Sequence, residues 1–302
     1  MKLVFLGVGG TYPSKTRNVT SLAVQMGPEV LLFDCGECIQ RQLMCSSVSF
    51  MRIRRIFISH LHADHFLGLP GLIQSMSLNG RESELRIHGP EGISKTVRSL
   101  MNLGYFESGY KVRAVTLSPG DEVPCDGFSV RTAKADHTVP ALAYAVEEHM
   151  RAGRFDLRKA KALGVPPGPM YSSLQRGEPV KVGGRKVTPS QVLGPPREGR
   201  KTVFSGDTRK CRAVTRLAEG ADALVHDSTL DSRFSSLAKT FGHSTARQAA
   251  EVAKEAGVRS LFLVHLSPRY EDPSVLLKEA RKVFKRCSVP EELSEHGIRL
   301  DD

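Results

Sequence analysis

The chain has 302 residues, with 43 Lys or Arg against 32 Asp or Glu, a net charge of +11 and 40% hydrophobic residues. That length allows one large domain or two modest ones with a substantial core. No apolar run approaches the roughly 20 residues a membrane-crossing helix needs, and Met1–Gly7 runs straight into a short strand and a glycine turn rather than a secretory leader. A soluble, cytoplasmic protein is expected, with an anionic partner suited to its basic balance. Six cysteines lie scattered, and the lone Cys35-x-x-Cys38 has no second pair to close a four-thiolate site. They read as small thiols in a reducing compartment.

In chain order, strands are expected at Lys2–Leu6, Ser21–Met26 and Val30–Phe33, short β-branched or apolar runs split by glycine or proline turns. A short helix follows at Gln40–Cys45. Arg55–Ser59 is a compact, mostly apolar run and reads as a buried strand. A helix over Leu69–Leu78 is stopped by Asn79-Gly80. Then come a strand at Leu85–His88, a helix at Ser94–Leu103, and strands at Val112–Leu117, Phe128–Ala135 and Ala141–Glu147. Between Met150 and Arg200 the pattern breaks: eight glycines, seven prolines, and eleven Lys or Arg against three acids in 51 residues. That stretch carries eight of the chain's eleven net positive charges. So long a Pro/Gly-rich insert reads as a protruding arm or disordered loop, too broken for packed elements, and its charge favours contact with nucleic acid. Order resumes with strands at Lys201–Ser205, Ala223–Val225 and Arg259–Val264. Helices are expected at Thr208–Glu219, Ser244–Ala256 and Pro273–Phe284. The architecture implied is α/β: two sheets with helices outside, split by the insert.

The strongest chemical signal is His60-x-His62-x-Asp64-His65, on the loop after the strand Arg55–Ser59. Imidazole and carboxylate are the ligands that divalent transition metals take. Four ligands in six residues cannot all face one ion, but they can face two neighbouring ions. His137, Asp207 and His265 each fall just past an expected strand end, where a rigid sheet presents functional side chains. The expected groups are His60, His62 and His137 for one ion, and Asp64, His65 and His265 for the other. Asp207 is expected to bridge them. His243, between Gly242 and Ser244-Thr245, reads either as part of a plain helix N-cap or as a general acid reaching the site. His88, His149, His226 and His296 read as surface or satisfied core residues.

The order of these residues resembles the metallo-β-lactamase fold, a four-layer αββα sandwich, and within it the ribonuclease Z family of tRNA 3′ processing endonucleases. Nearly the whole chain takes part. Pro13-Ser14-Lys15-Thr16-Arg17-Asn18 matches that family's P-x-K-x-R-N loop. Asp34 matches the aspartate that supports the metal histidines, Phe66–Leu72 continues the metal motif, and His243-Ser244-Thr245 matches its HST loop. The insert falls where the family carries a flexible tRNA-binding arm, with Gly168-Pro169-Met170 like its glycine-proline element. The resemblance implies a single domain over 1–302 with 150–200 as the arm. It implies two zinc ions per subunit, with manganese as the other choice, a precursor tRNA substrate, no membrane, and a homodimer. Asp64 becomes the proton acceptor and His243 the general acid. Lys15, Arg17, Asn18, Gly168 and Pro169 become substrate contacts. The products implied are a tRNA 3′-hydroxyl and a trailer 5′-phosphate. The chain departs from the family at Cys38, where glycine is usual, and at Asp227, where glutamate is usual and whose role is thereby in doubt. The tail beyond Val289 carries none of the motifs on which the resemblance rests. Two other readings remain: a small-molecule phosphodiesterase on the same fold, which needs no basic arm, and a non-catalytic RNA-binding protein that keeps metal for structure.

Overall fold

The computed structural model describes residues 1–300. The chain divides into two compact units: residues 1–125, 129–147 and 200 onward form the larger, and 126–128 with 148–199 the smaller.

In the larger unit, β1 (Lys2–Gly7), β2 (Ser21–Met26) and β3 (Glu29–Phe33) form an antiparallel meander. Helix α1 (Ile39–Cys45) leads to β4 (Ile53–Phe57). Next come the single turn α2 (Ala63–Phe66), α3 (Leu69–Leu78), β5 (Leu85–Gly89), α4 (Ile93–Met101) and β6 (Val112–Thr116). β3 through β6 pair in parallel, so their carboxyl ends share one rim. A second sheet begins with β7 (Glu122–Pro124), β8 (Phe128–Lys134) and β9 (Leu142–Glu148). The smaller unit then supplies α5 (Leu157–Ala162), α6 (Pro169–Gln175), the hairpin β10 (Val180–Val182) and β11 (Arg185–Val187), and α7 (Pro189–Val192). Back in the larger unit follow β12 (Lys201–Phe204), α8 (Arg212–Leu217), β13 (Ala223–Asp227), α9 (Ser235–Phe241), α10 (Ala246–Glu255), β14 (Leu261–Val264), α11 (Ser274–Arg281) and β15 (Cys287–Ser288). Last, β16 (Glu295–Gly297) returns to pair with β1. The two large sheets have seven strands each, ordered β16-β1-β2-β3-β4-β5-β6 and β15-β14-β13-β12-β9-β8-β7.

The sheets meet through aromatic side chains. Phe33 and Phe57 of one face Tyr144 and Phe204 of the other, with centroids 5.3–5.8 Å apart across the sheets. On the outer face of the first sheet, Ile39, Leu43, Leu72, Ile73 and Val97 of α1, α3 and α4 pack over Val30, Leu32, Ile56 and Ile87. On the second, Ala249, Ala250 and Ala253 let α10 lie close on Leu224 and Leu263. The layers are thus helix, sheet, sheet, helix, the expected αββα sandwich. Among the described residues no helix is long and apolar enough to cross a membrane.

Several boundaries differ from the sequence expectation, each for a local reason. β4 stops at Phe57, because the N–H of Ser59 turns to the Asp34 carboxylate at 2.7 Å. Helix α8 starts at Arg212, not Thr208: the Thr208 N–H donates to Asp227 at 3.0 Å and its hydroxyl to the Arg209 carbonyl at 2.7 Å, which holds the segment as a loop. Helix α10 starts at Ala246 because Thr245 and Gln248 form a capping box. The insert contradicts the expectation that it lacks packed elements. Ala160, Val165, Leu174, Val187 and Val192 form a small core of their own. Pro169 and Pro189 sit in the first turns of α6 and α7, where a missing N–H leaves nothing unpaired. Gly183 and Gly184, both at positive φ, make the tight turn between β10 and β11.

Candidate metal centre

Chemistry-bearing side chains gather where strands of both sheets end. β3 ends at Phe33, and the next residue, Asp34, turns left-handed with φ 57°. Its carboxylate accepts the Ser59 N–H at 2.7 Å, the Ser59 hydroxyl at 2.8 Å and His65 Nδ1–H at 2.7 Å. Burial pushes the Asp34 carboxyl up, and His65 and Ser59 oppose it. Gly36 is obligatory here: a Cβ would meet the Asp64 carbonyl oxygen at 1.9 Å. The closeness lets the β3 loop lie against the turn α2 that carries Asp64 and His65.

Hydrogen bonds fix the Nδ1 proton of His60, His65, His137 and His265. Ser59 donates its hydroxyl to Asp34, so it accepts from His60 Nδ1 at 3.0 Å. His137 Nδ1–H donates to the Gly242 carbonyl at 2.8 Å. Thr229 donates to Asp227 at 2.7 Å and accepts from His265 Nδ1 at 2.9 Å. In His60, His65, His137 and His265 Nδ1 therefore carries a proton, and Nε2 is the atom presented inward. His65 Nε2 and His265 Nε2 are buried with no hydrogen-bond partner. His60 Nε2 and His137 Nε2 both lie near His62 Nδ1, at 2.9 and 3.2 Å. Three nitrogens share at most the one proton of His62. This is an arrangement of converging donors that a cation satisfies and hydrogen bonding does not.

Those atoms fall into overlapping triads, among them the two groups expected from sequence, His60 with His62 and His137, and Asp64 with His65 and His265; others join Asp207 to His60 and His65, Asp207 to His137 and His243, and Asp227 to His243 and His265. Asp207 Oδ2 lies between them, 3.6 Å from His60 Nε2, 3.4 Å from His65 Nε2 and 3.2 Å from His265 Nε2. Asp207 is fully buried, which favours its neutral form, yet the rings of His265, His65 and His60 pull its pKa well below the ordinary range. Burial alone lowers His65, but the Asp207 and Asp34 charges raise it well above its usual value. A proton on His65 Nε2 and an ion there exclude each other, so ion binding releases that proton. His60 lies well below the ordinary histidine range, chiefly through burial. The donor set, nitrogens and carboxylate oxygens, fits divalent metal.

His243 stands at the edge of this cluster. Its Nδ1 is 2.9 Å from Asp227 Oδ2 and 3.9 Å from Asp207. Burial opposes its charge, but the Asp227 charge and hydrogen bond raise its pKa to about 9. Asp227 is the residue whose role the sequence left in doubt. Although shorter than glutamate, it reaches His243, and it also accepts from the Thr208 and Thr229 N–H groups, both at 3.0 Å. Its signal was its place at the end of β13, the position shared by the other ligand-type residues. The supports Ser59, Thr229 and Gly242 gave no comparable signal.

The loop before β2 is tied to the cluster, since the Thr11 N–H donates to Asp64 Oδ2 at 2.9 Å. Lys15 is exposed, while Arg17 donates to the Glu271 carbonyl at 2.5 Å. Asn18 is buried, and its N–H is held by the Glu292 carboxylate. The tail thus has a place: Glu292 also accepts from Gln42 at 3.2 Å, and β16 extends the first sheet. Gly168 (φ 125°) and Pro169 belong to the smaller unit. Of the four histidines read as surface or satisfied core, His88 and His226 are buried but not satisfied. Neither ring nitrogen of His88 has a partner, nor does His226 Nε2. His296 packs edge-on against Phe262 at 4.7 Å, and His149 is exposed.

Family comparisons agree with this geometry. A profile described as Anti-Pycsar protein Apyc1 matches residues 1–138, and one described as Beta-lactamase superfamily domain matches 169–266. Ribonuclease Z of Methanothermobacter thermautotrophicus is 48% identical over 302 residues, covering 100% of this chain and 98% of that one. Ribonuclease Z of Methanosarcina acetivorans is 46% identical over 299 residues, covering 99% and 98%. The crystal structure of human tRNase Z, short form, matches with a TM-score of 0.71 and 27% identity over 99% of this chain and 100% of that one. From the rim of metal-competent side chains to the full-length likeness, the chain belongs to the ribonuclease Z family of the metallo-β-lactamase superfamily.

Proposed function

We propose that this protein is a tRNA 3′ processing endonuclease that hydrolyses the phosphodiester after the discriminator nucleotide of precursor tRNA. The tRNA keeps a 3′-hydroxyl and the trailer a 5′-phosphate. The observation that carries the reading is the convergence of two ligand groups about Asp207, with a proton-bearing histidine at their edge. In our reading His60, His62 and His137 hold one divalent ion, Asp64, His65 and His265 a second, and Asp207 lies between. The donor chemistry supports zinc, with manganese as the other divalent candidate. When bound, such ions acidify water and offset charge on phosphoryl oxygens.

The chain's own residues do the rest. Asp64, with Oδ2 fixed by the Thr11 N–H, orients the attacking water and takes its proton. The water oxygen bonds to phosphorus while the bond to the 3′ oxygen breaks. His243 donates its Nε2 proton to that leaving oxygen, and Asp227 holds the ring to the task through Nδ1. Asp34 orients His65. Lys15 and Arg17 offer charge to substrate phosphates, and Asn18 holds their loop. The stretch 150–200, with Gly168 and Pro169 and eight of the eleven net positive charges, binds the folded RNA by shape and backbone rather than sequence. A homodimer acting in the cytoplasm completes the proposal, with light scattering as the check on assembly.

The deciding experiment incubates the protein with an end-labelled precursor tRNA and maps the cut. A single cut after the discriminator, abolished by chelation and restored by zinc or manganese, is expected. Hydrolysis of bis-p-nitrophenyl phosphate with no cut in the RNA overturns the reading in favour of a small-molecule phosphodiesterase.

A further inference from the structure

Helix α9, Ser235–Phe241, is amphipathic in an unusual direction. Its buried residue is Ala238 alone, whereas Leu237 and Phe241, its large apolar side chains, are 36% and 58% exposed. They lie four residues apart and so share one side of the helix. Both line one cavity of about 430 Å³, a size ordinary for small-ligand sites. Leu230 adds a third apolar side chain, while His62 and His243 close the side belonging to the metal centre. Arg269 stands at the same cavity, its guanidinium 4.6 Å from the Phe234 ring centroid. The Phe241 ring meets no other ring among the described residues.

Scattered exposed apolar residues are normal, but an apolar wall continuous with a catalytic centre marks a binding surface. For an enzyme acting on RNA, the group of matching chemistry is a nucleobase, since every base offers a π-face to an aromatic ring. Which base follows from His243. On the reading above, this ring protonates the departing 3′ oxygen, so the sugar bearing that oxygen lies against it. The base of the same nucleotide then falls one sugar ring away, into the cavity that His243 lines. We propose that this cavity receives the base of the nucleotide retained at the cut, stacked on Phe241 and backed by Leu237. The inference rests on the endonuclease reading and on the proton-donor role of His243.

The test uses the metal-loaded protein and a precursor tRNA whose scissile 3′ oxygen is replaced by methylene, so that it binds without being cut. 2-Aminopurine, whose fluorescence falls on stacking, replaces either the last retained base or the first trailer base. Wild type and Phe241→Tyr should quench the probe at the retained position. Phe241→Ala should leave it bright at saturation and weaken binding about 5- to 150-fold. Leu237→Ala should give a smaller change of the same sign. Quenching at the retained position that is unchanged in Phe241→Ala, or Phe241-dependent quenching at the trailer position alone, overturns the base pocket and leaves the endonuclease reading standing. If wild type fails to bind the RNA, both fall together. Phe241 is exposed, so the alanine variant keeps the packed core intact.

Discussion

His243 holds its proton because of Asp227, and this separates two substrates. An alkoxide leaving group needs that proton, whereas p-nitrophenolate leaves without one. His243→Ala should slow precursor tRNA cleavage by about 10²- to 10⁴-fold and bis-p-nitrophenyl phosphate hydrolysis far less. Equal losses on both substrates, measured as kcat, would remove the proton-donor role. His88 offers a stability test away from the metal centre. It is 3% exposed, stacked on Phe57 at 4.7 Å, and burial aided by Arg55 and Arg86 holds its pKa at about 4 against an ordinary 6.5. Between those values the unfolded chain binds a proton that folded His88 refuses. The stability tied to a neutral His88 is therefore complete above pH 6.5 and lost as pH falls toward 4. The loss amounts to ~3 kcal/mol. In urea titrations His88→Leu should lack this part of the fall, and parallel pH curves for the two proteins would contradict the assignment.

At the scale of elements, the connection from α9 to α10 positions His137 as well as His243. Gly242 ends α9 with φ 82°, and a Cβ there would lie 2.6 Å from His137 Nδ1, the atom that its own carbonyl binds. Gly242→Ala should cost about 1–3 kcal/mol of strain and tilt His137 away from His60 and His62. Metal analysis should find the variant short of metal; full loading with unchanged stability would show the turn to be slack. Much of the architecture was legible because the strands are short apolar runs and their ends carry unusual residues. His60–His65, His137, Asp207 and His265 each follow such a run. What stayed hidden depends on long-range contacts. Asp227 shares the strand-end position, but its partners Thr208, Thr229 and His243 gather around it only in the fold. α9 was missed because Ser235–Phe241 buries one residue, Ala238, and so has no helical stripe to read. The insert looked unstructured because its prolines and glycines were counted rather than placed, though they occupy helix starts and a hairpin turn.

For the molecule as a whole, charge is concentrated in one stretch: residues 150–200 hold eight of the eleven net positive charges. Each phosphate neutralised releases counterions, so the affinity of the intact protein for precursor tRNA should fall steeply with salt, by ~0.7–0.9 in log–log slope per contact. Replacing 151–198 with a short glycine-serine linker should flatten that slope; the same slope in both proteins would place the contacts elsewhere. The larger unit has its own cores and should remain folded, by far-ultraviolet circular dichroism. The two ligand groups have one more property. Each takes members from both sheets: His60 and His62 wait for His137, and Asp64 and His65 wait for His265. On a ribosome the amino-terminal sheet emerges long before its counterpart. A nascent chain therefore has its first triad by residue 137 but lacks the second until His265 is made, and the nuclease arms itself only when synthesis is nearly finished.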